Sequence, residues 1–265
     1  MSSGPPPEAA LHHDRSRALS FGGEAERYDR ARPSYPAALI DDLLRLQPRT
    51  ALDVGCGTGK AARLLRERGV DVLGVEPDPR MAAVARAHGV PVEEGHFESW
   101  DARGRTFDLI VSGQAWHWIE PEAGAAKAGA ILPPGGHLAA FWNLGTHEPA
   151  TLAALEPVYR SLAPEIADTT TALHTPAGGD AWRVSALSDS GLFHPVESRA
   201  YTWEARYTRD QWLDFIATHS DHAGLSAERR AAVMAAVSAA IDAMREPLTM
   251  HYRTVLILAT RAAAR

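Results

Sequence analysis

The chain has very little cysteine, since Cys56 is the only one among its 265 residues. An intramolecular disulfide is therefore excluded, and with it the disulfide-stapled secreted folds. No apolar run reaches the ~20 residues that a helix needs to cross a membrane. Residues 1–7, MSSGPPP, lack the apolar core of a secretory signal. These absences predict a cytoplasmic protein that has no membrane partner.

The chain also lacks an excess of positive charge, because its formal net charge is −6 at pH 7. A protein whose main partner is nucleic acid usually has a basic surface. We therefore expect no nucleic-acid partner. The length suits one α/β domain with insertions and a full hydrophobic core. Both a monomer and a homodimer are compatible with this composition.

Glycine is concentrated in one informative segment. Residues 51–60 read ALDVGCGTGK, in which Gly55, Gly57 and Gly59 alternate after a short apolar run. The apolar run predicts the end of a buried strand, and residues 61–65 begin a helix. A glycine turn in this position lets a ligand approach the backbone closely. The segment therefore indicates a nucleotide-type binding site.

The neighbours of the glycines separate three kinds of nucleotide-type site. A P-loop requires glycine and Ser or Thr where Val54 and Ala61 stand, and a dinucleotide fingerprint requires a small residue where Lys60 stands. Asp53 would repel a pyrophosphate but suits a ligand that carries an ammonium group. S-adenosylmethionine (SAM) is such a ligand. The segment resembles motif I of the class I SAM-dependent methyltransferases.

A second acid stands at the position where a nucleoside site needs one. Residues 71–76, DVLGVE, predict a strand that ends in Glu76, about 20 residues beyond the glycine turn. Nucleoside-binding α/β folds place a carboxylate there to accept the ribose hydroxyls. The alternative is an exposed acid at a strand end. Asp78, which follows this strand, is predicted to be the N-cap of a helix over residues 80–87.

The remaining pattern predicts an α/β fold with a mostly parallel sheet and helices on both faces, because strands alternate with helices. Predicted strands cover residues 50–54, 71–76, 90–94, 107–112, 137–142, 196–207 and 250–259, and further helices cover residues 121–131, 209–218 and 226–244.

The domain organisation follows from where this alternation begins and lapses. Residues 1–18 are polar and predict a mobile N-terminal tail. Residues 19–265 predict a single domain, which begins with a helical lid at residues 19–44. The alternation lapses at about residues 145–190, where prolines punctuate short helical pieces. We expect an inserted helical cap segment there.

The resemblance extends over most of the chain, to a methyltransferase group that includes trans-aconitate methyltransferase-like enzymes. It rests on FGGEAERYD at residues 21–29, RPSYP at 32–36, QAWHW at 114–118 and LPPGG at 132–136. It implies a Rossmann-like, seven-stranded sheet with an antiparallel C-terminal strand. It also implies SAM as methyl donor, S-adenosylhomocysteine (SAH) as product and a small-molecule acceptor. Since members differ widely in their acceptors, fold-level analogy does not identify this one.

The resemblance also implies a set of residues that contact the cofactor. Asp53 would lie near the ammonium group, Glu76 at the ribose, and Met81 and the backbone amide of Phe97 at the adenine; core packing is the alternative for both of these side chains. Arg32 would pair with a carboxylate of SAM or of an acidic substrate, or else form a local surface ion pair. The full predicted set is Asp53, Gly55, Cys56, Gly57, Gly59, Glu76, Pro77, Met81, Phe97, Gln114 and Arg32.

The segment after the predicted fourth strand should lie beside the transferable methyl group. Related enzymes that methylate amino groups of nucleobases or of peptide glutamine often carry Asn/Asp-Pro-Pro-Tyr/Phe here, whereas this chain has Gly113 to Trp116. We therefore expect an oxygen acceptor, either a carboxylate or a hydroxyl. His117 would act as a general base for a hydroxyl or only as a hydrogen-bonding wall of the site, and Tyr28 would reach the cofactor or the acceptor. The residues expected to line the acceptor, unless they only pack under the lid, are Trp116, Trp118 and Trp142.

No metal site is predicted. His219 and His222 have the spacing of some metal ligands, but no complementary ligand set lies nearby in the sequence. We expect solvated polar residues after a helix there, and the same for His12 and His13 in the tail.

Other functions stay open beside O-methylation. A non-catalytic SAM-binding regulatory or scaffold protein would keep the cofactor motif but erode the lid or the segment after strand four, and both look intact here. N- or C-methylation of a small molecule is a second alternative. A dinucleotide oxidoreductase is disfavoured by Asp53 and Lys60.

Overall fold

The structure is a computed structural model that describes residues 24–173, 187–244 and 247–263. The predicted tail, the first residues of the lid and part of the inserted segment lie outside these ranges, and His12 and His13 lie there too. Across the described ranges, no helix combines the length and the apolar character that a membrane crossing requires.

Two helices precede a regular alternation of strands and helices. In chain order the elements are α1 (Ala25–Ala31), α2 (Ala37–Leu44), β1 (Thr50–Val54), α3 (Lys60–Arg66), β2 (Asp71–Glu76), α4 (Pro79–Ala87), β3 (Val92–Glu94), β4 (Leu109–Gly113), a 3-10 turn (Trp116–Trp118), α5 (Pro121–Ile131), β5 (His137–His147), α6 (Pro149–Leu162), β6 (Phe193–Tyr207), α7 (Arg209–Ala217), α8 (Ser220–Ala223), α9 (Ala227–Met244) and β7 (Leu248–Arg261).

The strands form one seven-stranded sheet in the order β3-β2-β1-β4-β5-β7-β6. Strands β1 to β5 pair in parallel, and β7 runs antiparallel between β5 and β6. This confirms the predicted α/β fold, in which the parallel part of the sheet ends in antiparallel C-terminal strands. The carboxyl ends of β1, β2 and β4 therefore meet at one edge, where ligands bind in open α/β sheets.

Most predicted elements lie where the sequence pattern placed them, but β5 is longer. The pattern predicted its end at residue 142, whereas the strand continues to His147. The reason is long-range pairing, because β7 pairs with β5 from Thr260 opposite His137 to Met250 opposite His147. The partner strand supplies hydrogen bonds that a local pattern does not reveal.

Apolar side chains cover both faces of the sheet. Consecutive residues of β1 alternate, so that Leu52 joins the cluster on one face and Ala51 the cluster on the other. Ile110 and Val111 of β4 divide between the same two clusters. Burial on both faces is typical of parallel strands, and it makes the sheet a rigid support for the loops at its edge.

A third apolar cluster covers the antiparallel end of the sheet. Leu155 and Tyr159 of α6 pack with Trp212 of α7, Val237 of α9 and Tyr252 of β7. The described part of the predicted inserted segment thus packs with the C-terminal helices. Its role as an inserted cap segment stays a prediction.

Asp29 fastens α1 to the α/β layer. Its Oδ1 lies 2.7 Å from Nη2 of Arg63 on α3, and its Oδ2 lies 3.0 Å from Nε2 of His88 after α4. The ammonium group of Lys60 donates a hydrogen bond to the backbone carbonyl of Asp29. Burial raises the pKa of Asp29, but hydrogen bonds and the charges of Lys60 and Arg63 outweigh burial and lower it. The first helix is therefore held on the helices that follow β1 and β2.

We expect Asp29→Asn to speed the amide hydrogen exchange of α1 by roughly ten- to a hundredfold, because losing a charge-assisted hydrogen bond costs about 1.5–3 kcal/mol. Since the pKa of Asp29 is lowered in the folded protein, its stabilisation is complete above the ordinary carboxyl pKa. It is lost as the pH falls through the lowered value.

The matched control is Asp41→Asn, because the ion pair of Asp41 with Arg68 is exposed on both sides and such pairs contribute little. Unchanged exchange of α1 in Asp29→Asn, measured by mass spectrometry, would contradict the fastening role.

Candidate active site

The turn between β1 and α3 is formed by three glycines with positive φ. Gly55 has a φ of +63°, Gly57 of +54° and Gly59 of +82°. A Cβ on Gly55 would lie 2.6 Å from the Cβ of Ala115, so a side chain there would displace the segment after β4. A Cβ on Gly57 would lie 3.5 Å from Cε of Met81. The turn is therefore pressed against the end of β4, with Met81 beside it.

Asp53, near the end of β1, is a buried acid with an unmet hydrogen-bonding capacity. Its side chain accepts a hydrogen bond from the backbone N–H of Ala62 through Oδ2, at 3.1 Å. Its Oδ1 is buried and has no partner among the described residues. Burial raises the pKa of Asp53 to about 8. Buried polar atoms are rarely left unpaired, so this oxygen favours a cationic ligand.

Glu76, at the end of β2, is also buried. Its Oε2 accepts from the backbone N–H of Gly57 at 2.8 Å and its Oε1 from that of Asp78 at 3.0 Å. Burial raises its pKa to about 7. Each carboxylate oxygen keeps a further lone pair, with which it can accept from a ligand hydroxyl. The alternative of an exposed strand-end acid is wrong, because Glu76 is only 7% exposed.

The two acids lie at the same edge of the sheet, because β1 and β2 are parallel neighbours. After burial, the charge of Glu76 is a further cause that raises the pKa of Asp53. Two adjacent buried acids fit a ligand that brings a positive charge and hydroxyl groups. SAM carries both, so the donor set fits the cofactor that the sequence predicts.

The other predicted cofactor residues of this edge mainly pack. Met81 and Phe97 are buried, and the Phe97 ring lies 6.0 Å from that of Trp116. Phe97 belongs to an apolar cluster on one face of the sheet, whereas Met81 lies beside the glycine turn, and the adenine contacts of both stay predictions. Burial raises the pKa of the Cys56 thiol well above its ordinary value. Pro77 is half-buried and follows Glu76 directly.

Gln114 and Asn143 connect the exit of β4 to the N-terminal segment. Gln114 has a φ of +59° and donates through Nε2 to the backbone carbonyl of Asn143 at 3.3 Å. Asn143 donates to the carbonyl of Ser34 at 3.0 Å and accepts from Thr254 of β7 at 2.7 Å. Sequence reasoning missed Asn143. The sequence feature that could have revealed it is an asparagine in an apolar strand whose carboxyl end lies at the ligand-binding edge of the sheet.

Tyr35, which sequence reasoning also missed, lies over the end of β4. Its ring packs edge-on against Phe141 at 4.6 Å, and a Cβ on Gly113 would lie 2.4 Å from its hydroxyl. Burial raises its pKa well above the ordinary value, and the charge of Asp53 contributes. The sequence feature that could have revealed Tyr35 is the RPSYP segment in which it stands.

Tyr28 of α1 lies between opposite charges. Burial raises its pKa, the charge of Arg32 lowers it, and the charge of Glu76 raises it. The charge of the β2 acid therefore reaches Tyr28. Its part in catalysis stays a prediction.

The three predicted acceptor tryptophans, two after β4 and one on β5, differ in how far they are buried. Trp116 and Trp142 are buried, at 7% and 3% exposure, while Trp118 is half-buried. The indole N–H of Trp142 donates to Nδ1 of His117 at 2.9 Å. The structure thus joins His117 to β5, and the role of the three tryptophans at an acceptor stays a prediction.

Arg32, directly after α1, reaches across to the end of α7. Its Nε donates to Oγ1 of Thr218 at 2.8 Å and its Nη2 to the carbonyl of Thr218 at 3.0 Å. Its guanidinium carbon lies 5.2 Å from the ring centre of Tyr28 and 5.3 Å from that of Phe215. No acid pairs with it in the described part of the chain, so its partner carboxylate stays a prediction.

The prediction of solvated polar residues at 219–222 is wrong. His219 and His222 are 2% and 0% exposed. His222 bonds through Nδ1 to Asp221 and through Nε2 to the hydroxyl of Tyr159, at 2.7 and 2.8 Å. The third apolar cluster covers these groups, because α6 supplies Tyr159 from a distant part of the sequence.

Comparison with known proteins agrees with this geometry. A family model described as a methyltransferase domain matches residues 28–143. An uncharacterized methyltransferase of Mycobacterium tuberculosis is 41% identical over 132 residues, which are 49% of this chain and 54% of that protein. The chain therefore spans about half the length of this relative. A trans-aconitate 2-methyltransferase of Mycobacterium sp. (strain KMS) is 30% identical over 194 residues, 64% of this chain and 76% of that protein.

Solved structures show the same fold. A protein of Anaeromyxobacter dehalogenans described as a type II methyltransferase superposes with a TM-score of 0.63 at 24% identity, covering 88% of this chain and 99% of that one. Phosphoethanolamine N-methyltransferase 2 of Haemonchus contortus, in complex with SAH, has a TM-score of 0.54 at 14% identity, covering 96% and 60%. Together with the sequence relatives and the two buried acids, these likenesses lead to one conclusion: the chain belongs to the SAM-dependent methyltransferases.

Proposed function

We propose that this chain transfers a methyl group from SAM to an oxygen of a small acidic molecule, a carboxylate in preference to a hydroxyl. The observation that carries the donor half is Asp53, whose buried Oδ1 lacks a partner among the described residues, beside the buried Glu76. The acceptor half rests on the segment after β4. A cytoplasmic location and a monomer or homodimer remain predictions from the sequence.

The donor half assigns a role to each acid. When bound, SAM supplies an electrophilic methyl group on a sulfonium. Asp53 would accept from the ammonium group through Oδ1, the oxygen of this carboxylate that has no partner among the described residues. Glu76 accepts from the ribose hydroxyls with the lone pairs that Gly57 and Asp78 do not use. The positive φ of the glycine turn brings backbone close to the ligand.

The N-terminal segment covers this site and excludes water. Methyl transfer is an in-line displacement, so the protein contributes mainly by positioning the acceptor and removing solvent. Tyr35 lies over the end of β4, and Ser34 is tied to Asn143 of β5. Asp29 fastens the preceding helix to α3. We assign this segment the role of a lid.

The contact between Trp142 and His117 favours an acceptor that is already ionised. An indole N–H only donates, so Nδ1 of His117 accepts and a neutral imidazole carries its proton on Nε2. Such a nitrogen donates a hydrogen bond and does not take a proton. His117 is therefore suited to hold a carboxylate oxygen and not to deprotonate a hydroxyl. The name of the trans-aconitate 2-methyltransferase relatives, which denotes a carboxylic acid, supports the same class of acceptor.

We expect Glu76→Gln to weaken SAH binding by about 1.5–3 kcal/mol, roughly ten- to a hundredfold in Kd, because charge-assisted hydrogen bonds to the ribose are lost. Titration calorimetry measures the effect. Glu94→Gln is the matched control, since Glu94 ends the neighbouring strand β3 but is exposed. Equal Kd values for Glu76→Gln and wild type would reject the ribose assignment.

We expect His117→Ala to lower the rate with a carboxylate acceptor less than about tenfold, because no proton is removed and a positioned base typically contributes 10²–10⁴-fold. The acceptor is first identified by SAH release from a panel of carboxylic and hydroxy acids that begins with trans-aconitate. His117→Gln is the control, since its amide keeps a donor near the position of Nε2. A loss beyond about a hundredfold in His117→Ala, with unchanged SAH affinity and a rate that rises with the imidazole titration, would instead make His117 the base.

A further inference from the structure

Arg32 is a fixed positive charge that no acid neutralises in the described part of the chain. Its two hydrogen bonds to Thr218 go to neutral oxygens, and two aromatic rings flank its guanidinium group. Arginine has five N–H donors, of which these bonds use two. A guanidinium held in this way is preorganised for a planar anion such as a carboxylate.

The groups around Arg32 are polar but neutral. Its charge lowers the pKa of Tyr207 and of Tyr252, in each case against the larger effect of burial, which raises the pKa. The hydroxyls of these tyrosines bond to each other at 2.8 Å. Tyr28 on the other side links Arg32 to the ribose acid, since the charges of Arg32 and Glu76 both act on it. The guanidinium carbon of Arg32 lies 5.2 Å from the ring centre of Tyr28, the same tyrosine on which the charge of Glu76 acts.

His219 adds an unsatisfied polar atom to the same place. It follows Thr218 directly, and its ring lies 4.6 Å from that of Phe215, which also flanks Arg32. Its Nδ1 bonds to Oγ1 of Thr171 at 3.2 Å. Its Nε2 is buried and has no partner among the described residues. A buried nitrogen that has no partner among the described residues is a candidate donor to a ligand.

A metal ion is a poor explanation for this nitrogen. His219, Asp221 and His222 are close enough to bind one. However, both ring nitrogens of His222 are already bonded, to Asp221 and to Tyr159, and Asp221 also accepts from the backbone N–H of His222. A metal would break this array, whereas a hydrogen-bond acceptor at Nε2 of His219 leaves it intact.

We propose that Arg32 and His219 form a subsite that binds a carboxylate group, with Nε2–H of His219 and the guanidinium group of Arg32 as donors. The inference rests on the proposed function, because a methyltransferase with an acidic acceptor has two ligands that bring a carboxylate. One is the amino-acid end of the cofactor and the other is the acceptor. The guanidinium group of Arg32 and the buried N–H of His219 would bind the carboxylate of the cofactor or that of the acceptor through the same charge-assisted hydrogen bonds.

The test compares His219→Asn with His219→Gln. In His219→Asn the side-chain amide lies near the position of Nδ1, so Thr171 keeps a partner, but no donor remains at the position of Nε2. In His219→Gln the longer side chain places its amide near the position of Nε2. One arm titrates SAH and 5′-methylthioadenosine, which lacks the amino-acid end. The other arm titrates trans-aconitate and its trimethyl ester into the SAH complex. Thermal unfolding checks that both variants fold.

A carboxylate subsite predicts that His219→Asn loses affinity tenfold or more in one arm and that His219→Gln stays within about threefold of wild type. A loss confined to SAH, with 5′-methylthioadenosine unaffected, assigns the subsite to the cofactor. A loss confined to trans-aconitate, with its ester unaffected, assigns it to the acceptor. Wild-type affinity of His219→Asn in both arms overturns the subsite and leaves Nε2 to a water. Failure of the wild type to bind SAH would instead refute the proposed function.

A measurement on the wild type covers the case in which His219→Asn does not fold. The Nε2 resonance of His219, observed by nitrogen NMR of histidine-labelled protein, should move when SAH or trans-aconitate is added and stay in place with 5′-methylthioadenosine or the ester. A resonance that responds to none of the four overturns the proposal.

Discussion

The structure depends on the burial of two carboxylates side by side. Asp53 and Glu76 end adjacent parallel strands, and burial raises their pKa values to about 8 and about 7. Burying one charge costs several kcal/mol unless hydrogen bonds and an opposite charge compensate it. The backbone N–H groups of Ala62, Gly57 and Asp78 supply part of that compensation. A bound cation would supply the rest, and the oxygen available to it is Oδ1 of Asp53, which has no partner among the described residues.

This arrangement couples parts of the fold that are separate in sequence. The hydrogen bond from Gly57 to Glu76 joins the loop after β1 to the end of β2. The same loop lies against Ala115, which precedes His117 in the segment after β4. The N-terminal helix is fastened through Asp29 to α3, which begins at the end of this turn. The glycine turn, the segment that carries His117 and the N-terminal helix therefore belong to one connected structure.

The features that the sequence predicted are those with local causes. β1 and β2 lie at the predicted residues, and Asp78 caps α4, because short apolar runs, glycines and a capping side chain act within a few residues. The missed features have distant causes. β7 lengthens β5, Thr218 binds Arg32 across 186 positions, and Tyr159 on α6 contributes to the burial of His222. From the sequence alone a polar residue is predicted to be exposed to solvent, because the distant residue that pairs with it is not known.

The chemistry of a carboxylate acceptor also suits a dry site. Transfer from a sulfonium to a carboxylate converts one positive and one negative charge into a neutral thioether and a neutral ester. Because the charges are already dispersed at the transition state, removing water costs the transition state less than it costs the separated ions. A hydroxyl acceptor would instead release a proton that a base must take up, and Trp142 occupies the nitrogen of His117 that would accept it. The lid and the fixed imidazole therefore favour the same acceptor for different physical reasons.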